Sequence, residues 1–190
     1  MSAEIVFPLR GFEKHSMGNC FIDKDGFVHT VDHIFQPLSH NAKRRPAEGG
    51  VKLDKYITYG LIFSPISGID YAVSQDTIPE EYRSPNVLLF ASSLPKNCFK
   101  VIIKCAYPYA REIHGNAFVA SIRNKGHKEH AVIFLSVEKP IITGNSGSPV
   151  LYLQPAISGR YSSQRHAEER ILGTVVTEST AEISPRVLGL

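Results

Sequence analysis

Short apolar or alternating runs, separated by Gly, Pro, Asp and Asn, dominate the hydrophobic pattern of this chain. Such runs are typical of β-strands bounded by turns. They predict strands at residues 3–9, 19–22, 27–31, 56–63, 71–73, 87–90, 99–106, 117–122, 131–137, 149–153 and 171–177. The polar segment 123–130 joins two β-branched runs and predicts a hairpin. Residues 162–170 are the most convincing helix candidate, although the same stretch is compatible with a loop.

These strands form two sets and predict an all-β protein. Ser and Pro cluster in residues 82–96, which places a boundary between an N-terminal unit, residues 1–85, and a C-terminal unit, residues 86–190. A chain of 190 residues is long enough for one compact unit or for two small barrels that share an interface.

Composition narrows the class of protein without naming it. A hydrophobic content of 43% and a charged content of 21% are ordinary for a soluble protein. No run is long enough to span a membrane, and the N-terminus lacks a signal-peptide pattern. The net charge of +3 is too small to indicate nucleic-acid binding, and we interpret the basic run at residues 43–45 as a solvated loop tip.

The three cysteines, Cys20, Cys98 and Cys105, do not form a disulfide framework. Cys98 and Cys105 lie seven residues apart on or near one strand, which is poor geometry for pairing. A reducing compartment therefore fits best. No Cys/His spacing indicates a metal site, so we expect neither a metal nor a cofactor.

The segment at residues 143–150 carries the most specific chemistry. Ser146 is flanked by Asn145 and Gly147 and followed by Ser, Pro and an apolar run. The segment resembles the nucleophile loop of chymotrypsin-like serine proteases, in which a sharp turn projects the serine hydroxyl. In that family the N–H groups matching Gly144 and Ser146 form the oxyanion hole, and Gly147 lets the substrate approach closely. A simple Gly/Ser/Asn/Pro turn between two strands is the alternative interpretation.

Two further segments occur in the order of that family. His33 ends an apolar segment with a Thr-x-x-His step, and the resemblance places this imidazole on a strand that leads to the cleft. Asp70 is a lone carboxylate among apolar residues on what we interpret as a strand, similar to the aspartate that orients the histidine. The resemblance implies a catalytic triad of His33, Asp70 and Ser146. It also implies two six-stranded antiparallel β-barrels of the chymotrypsin type with the active site in the cleft between them.

Other residues compete for these roles. His29 lies four residues before His33 and is interpreted as a strand residue or a neighbour of the cleft. Asp32 adjoins His33, but adjacent strand residues face opposite sides. Asp54 and Asp76 lie in polar segments and are expected to be solvated. The remaining histidines are most simply surface groups: His15, His40, His114, His127, His130 and His166.

The branch of the family is less defined by the sequence. Asn145 stands where zymogen-activated members carry an Asp that pairs with a freed N-terminal amine, so we expect activity without N-terminal cleavage. Ile34 and Phe35 follow His33, so the cysteine of the secreted members is absent there. Small size, few cysteines and the missing signal sequence favour a positive-strand RNA virus 3C-like serine protease that acts on polypeptides, including its own polyprotein, in the host cytoplasm. A secreted bacterial glutamyl-endopeptidase-like enzyme, a stress-type protease and a catalytically silent protease-fold binding module are the alternatives.

The resemblance also places the S1 pocket, which binds the substrate side chain before the scissile bond, named P1. One wall is residues 139–143, with Pro140, Ile141 and Thr143 as candidates. The other is residues 172–178, with Val175, Val176 and Thr177 as candidates, and the start of this segment resembles the Gly-containing strand that pairs with the substrate backbone. Val175 stands where enzymes that cut after Glu or Gln usually carry a His, which predicts an apolar or aromatic P1 residue. A donor such as His166 from the segment 158–170 would change that preference.

Overall fold

A computed structural model describes residues 5–11, 16–35, 45–85, 87–125, 128–154 and 168–189 of the chain. Within these ranges the regular secondary structure is β-strand apart from two short 3₁₀ turns at Asp32–Ile34 and Glu80–Tyr82. No helix in the described ranges is long and apolar enough to cross a membrane.

The first six strands close into one antiparallel barrel in the order β1-β2-β3-β6-β5-β4. Register pairs such as Leu9 with Val51 join β1 to β4 and close this barrel. The strands are β1 (Val6–Gly11), β2 (Met17–Ile22), β3 (Val28–Thr30), β4 (Ala47–Lys52), β5 (Thr58–Pro65) and β6 (Ala72–Ser74).

The last six strands close into a second antiparallel barrel in the order β10-β11-β12-β9-β8-β7. They are β7 (Phe99–Cys105), β8 (Arg111–Lys125), β9 (Lys128–Val137), β10 (Pro149–Gln154), β11 (Glu168–Val175) and β12 (Thr180–Ile183). The predicted all-β fold of two six-stranded barrels is confirmed.

Period-two alternation explains why each barrel has a core. In β5, Leu61 and Phe63 point inward while their neighbours Gly60 and Ile62 are exposed, as expected for a strand with one buried face. Each barrel encloses its own apolar cluster. A third buried cluster joins the two barrels, with Phe21 from β2 packed among three residues of the second barrel: Ile102, Leu151 and Ile171. Burial of this shared face sets the relative position of the barrels and of the cleft that they border.

The structure differs from the predicted strands in four places. β4 and β12 were not predicted, and residues 87–90 form no strand, because Phe90 makes only an isolated parallel bridge to Ile171. Residues 168–170 of the helix candidate begin β11, and its other residues lie outside the described ranges. The predicted hairpin is confirmed, with Lys125 opposite Lys128 across β8 and β9. The predicted boundary between residues 85 and 86 falls in the connection from Ser74 to Phe99 and stays a prediction.

Candidate active site

His33 is positioned by the 3₁₀ turn Asp32–Ile34 rather than by a strand, because β3 ends at Thr30. The prediction that a strand carries His33 is therefore wrong. The Phe35 N–H donates to the Asp32 carbonyl at 2.9 Å, and the buried Ile34 side chain fixes the turn to the first barrel. This anchoring leaves the His33 side chain 42% exposed and directed to the cleft surface.

Asp70 holds His33 through both carboxylate oxygens. Oδ2 lies 2.6 Å from His33 Nδ1, and Oδ1 accepts the backbone N–H of His33 at 2.8 Å. Asp70 lies in a bend just before β6 and not on the predicted strand, and its neighbours Ile69 and Tyr71 are both buried. The paired contact fixes the imidazole ring and favours the tautomer with the proton on Nδ1, which leaves Nε2 as a base.

Electrostatics at this pair favour the charged forms. Desolvation lowers the pKa of His33, but the hydrogen bond and charge of Asp70, aided by the charge of Asp32, outweigh it and raise the pKa above its ordinary value. Desolvation raises the pKa of Asp70. The hydrogen bonds and charge of His33, together with the backbone N–H of Asp32, more than offset this effect, so the pKa of Asp70 lies below its ordinary value. Asp70 is therefore a carboxylate that stabilises an imidazolium at His33.

Two glycines with positive φ shape the loop that carries Ser146. Gly144 has φ +96° and Gly147 has φ +86°, conformations that favour glycine. The Asn145 N–H donates to the Ile142 carbonyl at 3.0 Å, and the Gly147 N–H donates to the Val175 carbonyl at 2.9 Å. These bonds hold Ser146 half-buried at the turn.

Gly147 serves a different purpose from the one expected. A Cβ at this position would collide with the Asn19 carbonyl oxygen and lie 2.7 Å from Thr30 Oγ1. The close approach is thus made by the chain's own first barrel rather than by a substrate. At Gly144 a Cβ would meet the Tyr107 ring at 2.9 Å.

The buried Asn145 side chain makes three hydrogen bonds. Its Oδ1 accepts from the Ile142 N–H at 3.0 Å and from Arg111 Nη1 at 3.2 Å, and its Nδ2 donates to the Tyr107 carbonyl at 3.0 Å. The side chain before Ser146 is thus satisfied by β8 and the loop that precedes it.

His33 and Ser146 line one cleft of about 440 Å³. The other lining residues are Ile141, Ile142, Thr143, Gly144, Val175, Val176, Thr177 and Glu178. Of the predicted pocket residues, Pro140 is the exception, since it is exposed and does not line the cleft. Gly173 is also excluded from contact with a substrate backbone, because it is buried and pairs with Val150 and Ile183.

Of the competing residues, His29, Asp54 and Asp76 do not line the cleft, whereas Asp32 is buried beside His33 in the 3₁₀ turn and not on a strand. His29 is completely buried, with Nε2 2.8 Å from Asp23 Oδ2 and Nδ1 2.8 Å from the Tyr71 hydroxyl. Burial lowers the pKa of His29 despite the opposing effect of Asp23. Asp54 and Asp76 are exposed, and Asp54 accepts backbone N–H groups of its own turn.

Of the remaining histidines, His114 is exposed on β8, with Nε2 3.9 Å from Glu112. Four other histidines lie outside the described residues: His15, His40, His127 and His166. Part of the basic run at 43–45 also lies outside them, and the side chain of His130 is not described. Across the described residues, no group of three or more His, Cys, Asp or Glu side chains could hold a metal ion. The three cysteines have free thiols.

Sequence reasoning missed Asn19, whose side chain bonds the loop at Gly144 and the main chain at Tyr107. The available signal was a strong hydrogen-bonding residue inside an otherwise apolar strand. A buried amide of this kind requires partners, which the strand itself does not supply.

Comparison with solved structures identifies the fold. The active form of the Rv3671c protease from M. tuberculosis has a TM-score of 0.58 at 16% identity, covering 97% of this chain and 78% of that chain. The serine protease of a human pathogenic astrovirus has a TM-score of 0.54 at 14% identity, covering 96% and 90%. Deg5 has a TM-score of 0.56 at 17% identity, covering 99% and 87%. No protein-family model matches the chain, and no curated protein sequence matches it either.

These likenesses, together with the two closed barrels, show that the chain has the chymotrypsin-like serine protease fold. The neighbours include both viral and bacterial proteins, so the fold does not choose between those two branches.

Proposed function

We propose that the protein is a serine endopeptidase that hydrolyses peptide bonds through a His33–Asp70–Ser146 triad. The observation that carries this proposal is the two-oxygen contact between Asp70 and His33 beside a cleft that Ser146 also lines. The His33 side chain is held by two contacts yet remains 42% exposed, which suits a base that must reach a substrate.

In the proposed reaction, His33 Nε2 takes the proton of the Ser146 hydroxyl as the oxygen attacks the substrate carbonyl. The N–H groups of Gly144 and Ser146 stabilise the oxyanion that forms. Nε2–H then donates its proton to the departing amine, which breaks the peptide bond and leaves an acyl-enzyme. A water molecule, deprotonated by the same nitrogen, then attacks the ester; the acyl–Oγ bond breaks, and Nε2–H returns its proton to Oγ, which restores Ser146 and releases the acid product.

A fluorophosphonate probe tests the proposal directly, because it reacts only with an activated serine. We expect stoichiometric labelling of the wild-type protein at Ser146 and none in Ser146→Ala. Absence of labelling in a folded wild-type protein would identify a catalytically silent binding module instead.

For the substrate, we propose an apolar or aromatic P1 residue. Ile141, Ile142 and the two valines at 175 and 176 line the cleft, and desolvation of a matching side chain contributes about 1–3 kcal/mol. Glu178 is the acidic side chain of the cleft lining, so a basic substrate residue at a neighbouring position fits this surface. A peptide-library digest should show apolar residues at P1, and a map dominated by Glu or Gln would favour a glutamyl-type enzyme.

We further propose a viral polyprotein as the natural substrate, processed in the host cytoplasm. Three free thiols fit a reducing compartment, and a viral serine protease shares the fold. The proposal predicts that a longer viral precursor containing this chain is cleaved when the chain is wild type, and that Ser146→Ala abolishes the cleavage. Cleavage of unrelated secreted proteins with no processing of a precursor would support the bacterial alternative.

A further inference from the structure

Asn19 lies in the middle of β2, and its amide side chain is completely buried. A carboxamide has two donor hydrogens and an acceptor oxygen with two lone pairs, and burial without partners is costly. The hydrogen bonds of this side chain therefore show what holds it in place.

Every hydrogen bond of the Asn19 side chain reaches a main-chain atom on the other side of the barrel interface. Oδ1 accepts from the Ala106 N–H at 2.7 Å and from the Tyr107 N–H at 2.8 Å. Nδ2 donates to the Tyr107 carbonyl at 3.0 Å and to the Gly144 carbonyl at 2.8 Å. The hydrogen-bonding capacity of the amide is thus fully used by the β7–β8 connection and the loop that carries Ser146.

The main chain of Asn19 bonds the same loop. Its N–H donates to the Ser146 carbonyl at 2.9 Å, and its own carbonyl accepts from Thr30 Oγ1 at 2.7 Å. One residue of the first barrel consequently holds the carbonyls of both Gly144 and Ser146. These are the two residues whose N–H groups form the oxyanion hole in the proposed function.

We propose that Asn19 is the positioning residue of the oxyanion hole. The inference rests on the proposed function and deepens it. The direction of an N–H group depends on the backbone torsions around it, and Gly144, at φ +96°, lacks the Cβ that restrains the torsions of other residues. Anchoring its carbonyl limits rotation of the residue, so that the donors are aligned before substrate arrives, as oxyanion stabilisation requires.

The sharpest test is Asn19→Asp, which keeps the shape and the acceptor oxygen but replaces the donor with an oxygen facing two carbonyls. We expect kcat to fall about 10–100-fold with KM changed less than about threefold, since a displaced oxyanion donor affects the transition state alone. Affinity for a peptide boronate, which mimics the tetrahedral intermediate, should fall in proportion to kcat/KM. Affinity for the C-terminal cleavage product, which does not carry the reacting carbonyl group, should stay unchanged.

Ser74→Ala is the matched control. Ser74 is also a buried polar side chain of the first barrel whose bonds go only to main chain: Oγ accepts from the Val28 N–H and donates to the Asp76 carbonyl. We expect both substitutions to lower the melting temperature. The kcat of Ser74→Ala should nevertheless stay near wild type, which would show that lost stability alone does not lower kcat. An unchanged kcat in Asn19→Asp, or a parallel loss of boronate and product affinity, would overturn the inference.

A measurement on the unmutated protein covers the case in which Asn19→Asp does not fold. The two side-chain amide protons of Asn19 should exchange slowly with water in NMR spectra and should shift when the boronate binds. Fast exchange of both protons would overturn the inference. Failure of the proposed function is distinguishable, because the wild-type protein would then neither react with the fluorophosphonate nor cleave peptides.

Discussion

Two imidazoles of the first barrel have opposite surroundings. His33 faces the cleft, while His29 is sealed between Asp23 and Tyr71. We expect His33→Ala, like Ser146→Ala, to lower turnover about 10³-fold or more, because triad members act as a unit. His29→Ala should instead lower the free energy of unfolding, measured in urea. An active His33→Ala together with a folded but inactive His29→Ala would show that the other imidazole is the base.

The pH dependence of activity should report the pair formed by His33 and Asp70. Because the pKa of His33 is raised, the acidic limb of the kcat/KM profile should have its midpoint above the ordinary histidine value of about 6.5. Removal of the carboxylate charge in Asp70→Asn should move that midpoint to lower pH and also lower kcat, because an amide no longer enforces the tautomer. An acidic limb that stays in place in Asp70→Asn would contradict the assigned pair.

The same shifts set a pH window for stability. The raised pKa of His33 contributes stability below the histidine's unfolded pKa, and this is lost as the pH rises through the folded value. The lowered pKa of Asp70 contributes stability above the aspartate's unfolded pKa, which is lost as the pH falls through the folded value. Both contributions are complete between about pH 4 and 6.5, the ordinary values of the two side chains.

At the level of single residues, sequence reasoning could propose His33, Asp70 and Ser146 because each lies in a short local pattern. Asn19 is detectable in the sequence only as a polar residue in an apolar strand, and its role is not, because its side-chain partners are main-chain atoms 87 to 125 residues away. Nearly every residue type carries the same main-chain N–H and C=O groups, so the sequence does not show which of them a distant side chain contacts. Only the tertiary structure shows the contact. The same holds for Gly147, where the neighbour is the Asn19 carbonyl.

At the scale of elements, a buried chain of hydrogen bonds connects β3, the residue before β6 and the segment after β12. The Tyr71 hydroxyl lies 2.8 Å from His29 Nδ1 and 2.9 Å from Ser184 Oγ, within hydrogen-bond distance of both. Tyr71→Phe should lower the free energy of unfolding by about 1–3 kcal/mol, because it leaves buried polar atoms unpaired. In Tyr56→Phe, at a side chain that is 90% exposed, the change should stay within about 0.5 kcal/mol. Equal stability of the two variants in urea would contradict this role for Tyr71.

The strands that sequence reasoning missed have a physical explanation. β4 contains Gly49 and Gly50 beside charged residues, a composition with weak strand preference, and it is held by pairing with β1 and β5. β12 carries Glu182, a charged residue that is nevertheless buried. Barrel closure, which no local pattern encodes, forms both strands. Residues 87–90 show the converse, since an apolar run there serves the barrel interface instead of a sheet.

For the whole molecule, we expect activity that requires neither N-terminal processing nor disulfides. The Asn145 side chain is satisfied by Arg111 and by main-chain atoms of the second barrel, and the cysteines are free. Proteins with different N-terminal extensions should therefore agree in kcat/KM within about twofold, with or without dithiothreitol. Dependence on a free amine at one defined residue, or inactivation by the reductant, would contradict this expectation.

The positions of the three thiols allow the unfolding of each barrel to be measured by cysteine alkylation. Cys20 lies in the core of the first barrel and Cys105 in that of the second, and burial raises the pKa of both thiols, whereas Cys98 is exposed. An alkylating reagent should therefore modify Cys98 at once, and the other two only when their own barrel opens. Peptide mass spectrometry over time would give one opening rate for each barrel. Equal rates that change together with denaturant would show that the two barrels unfold as a single cooperative unit.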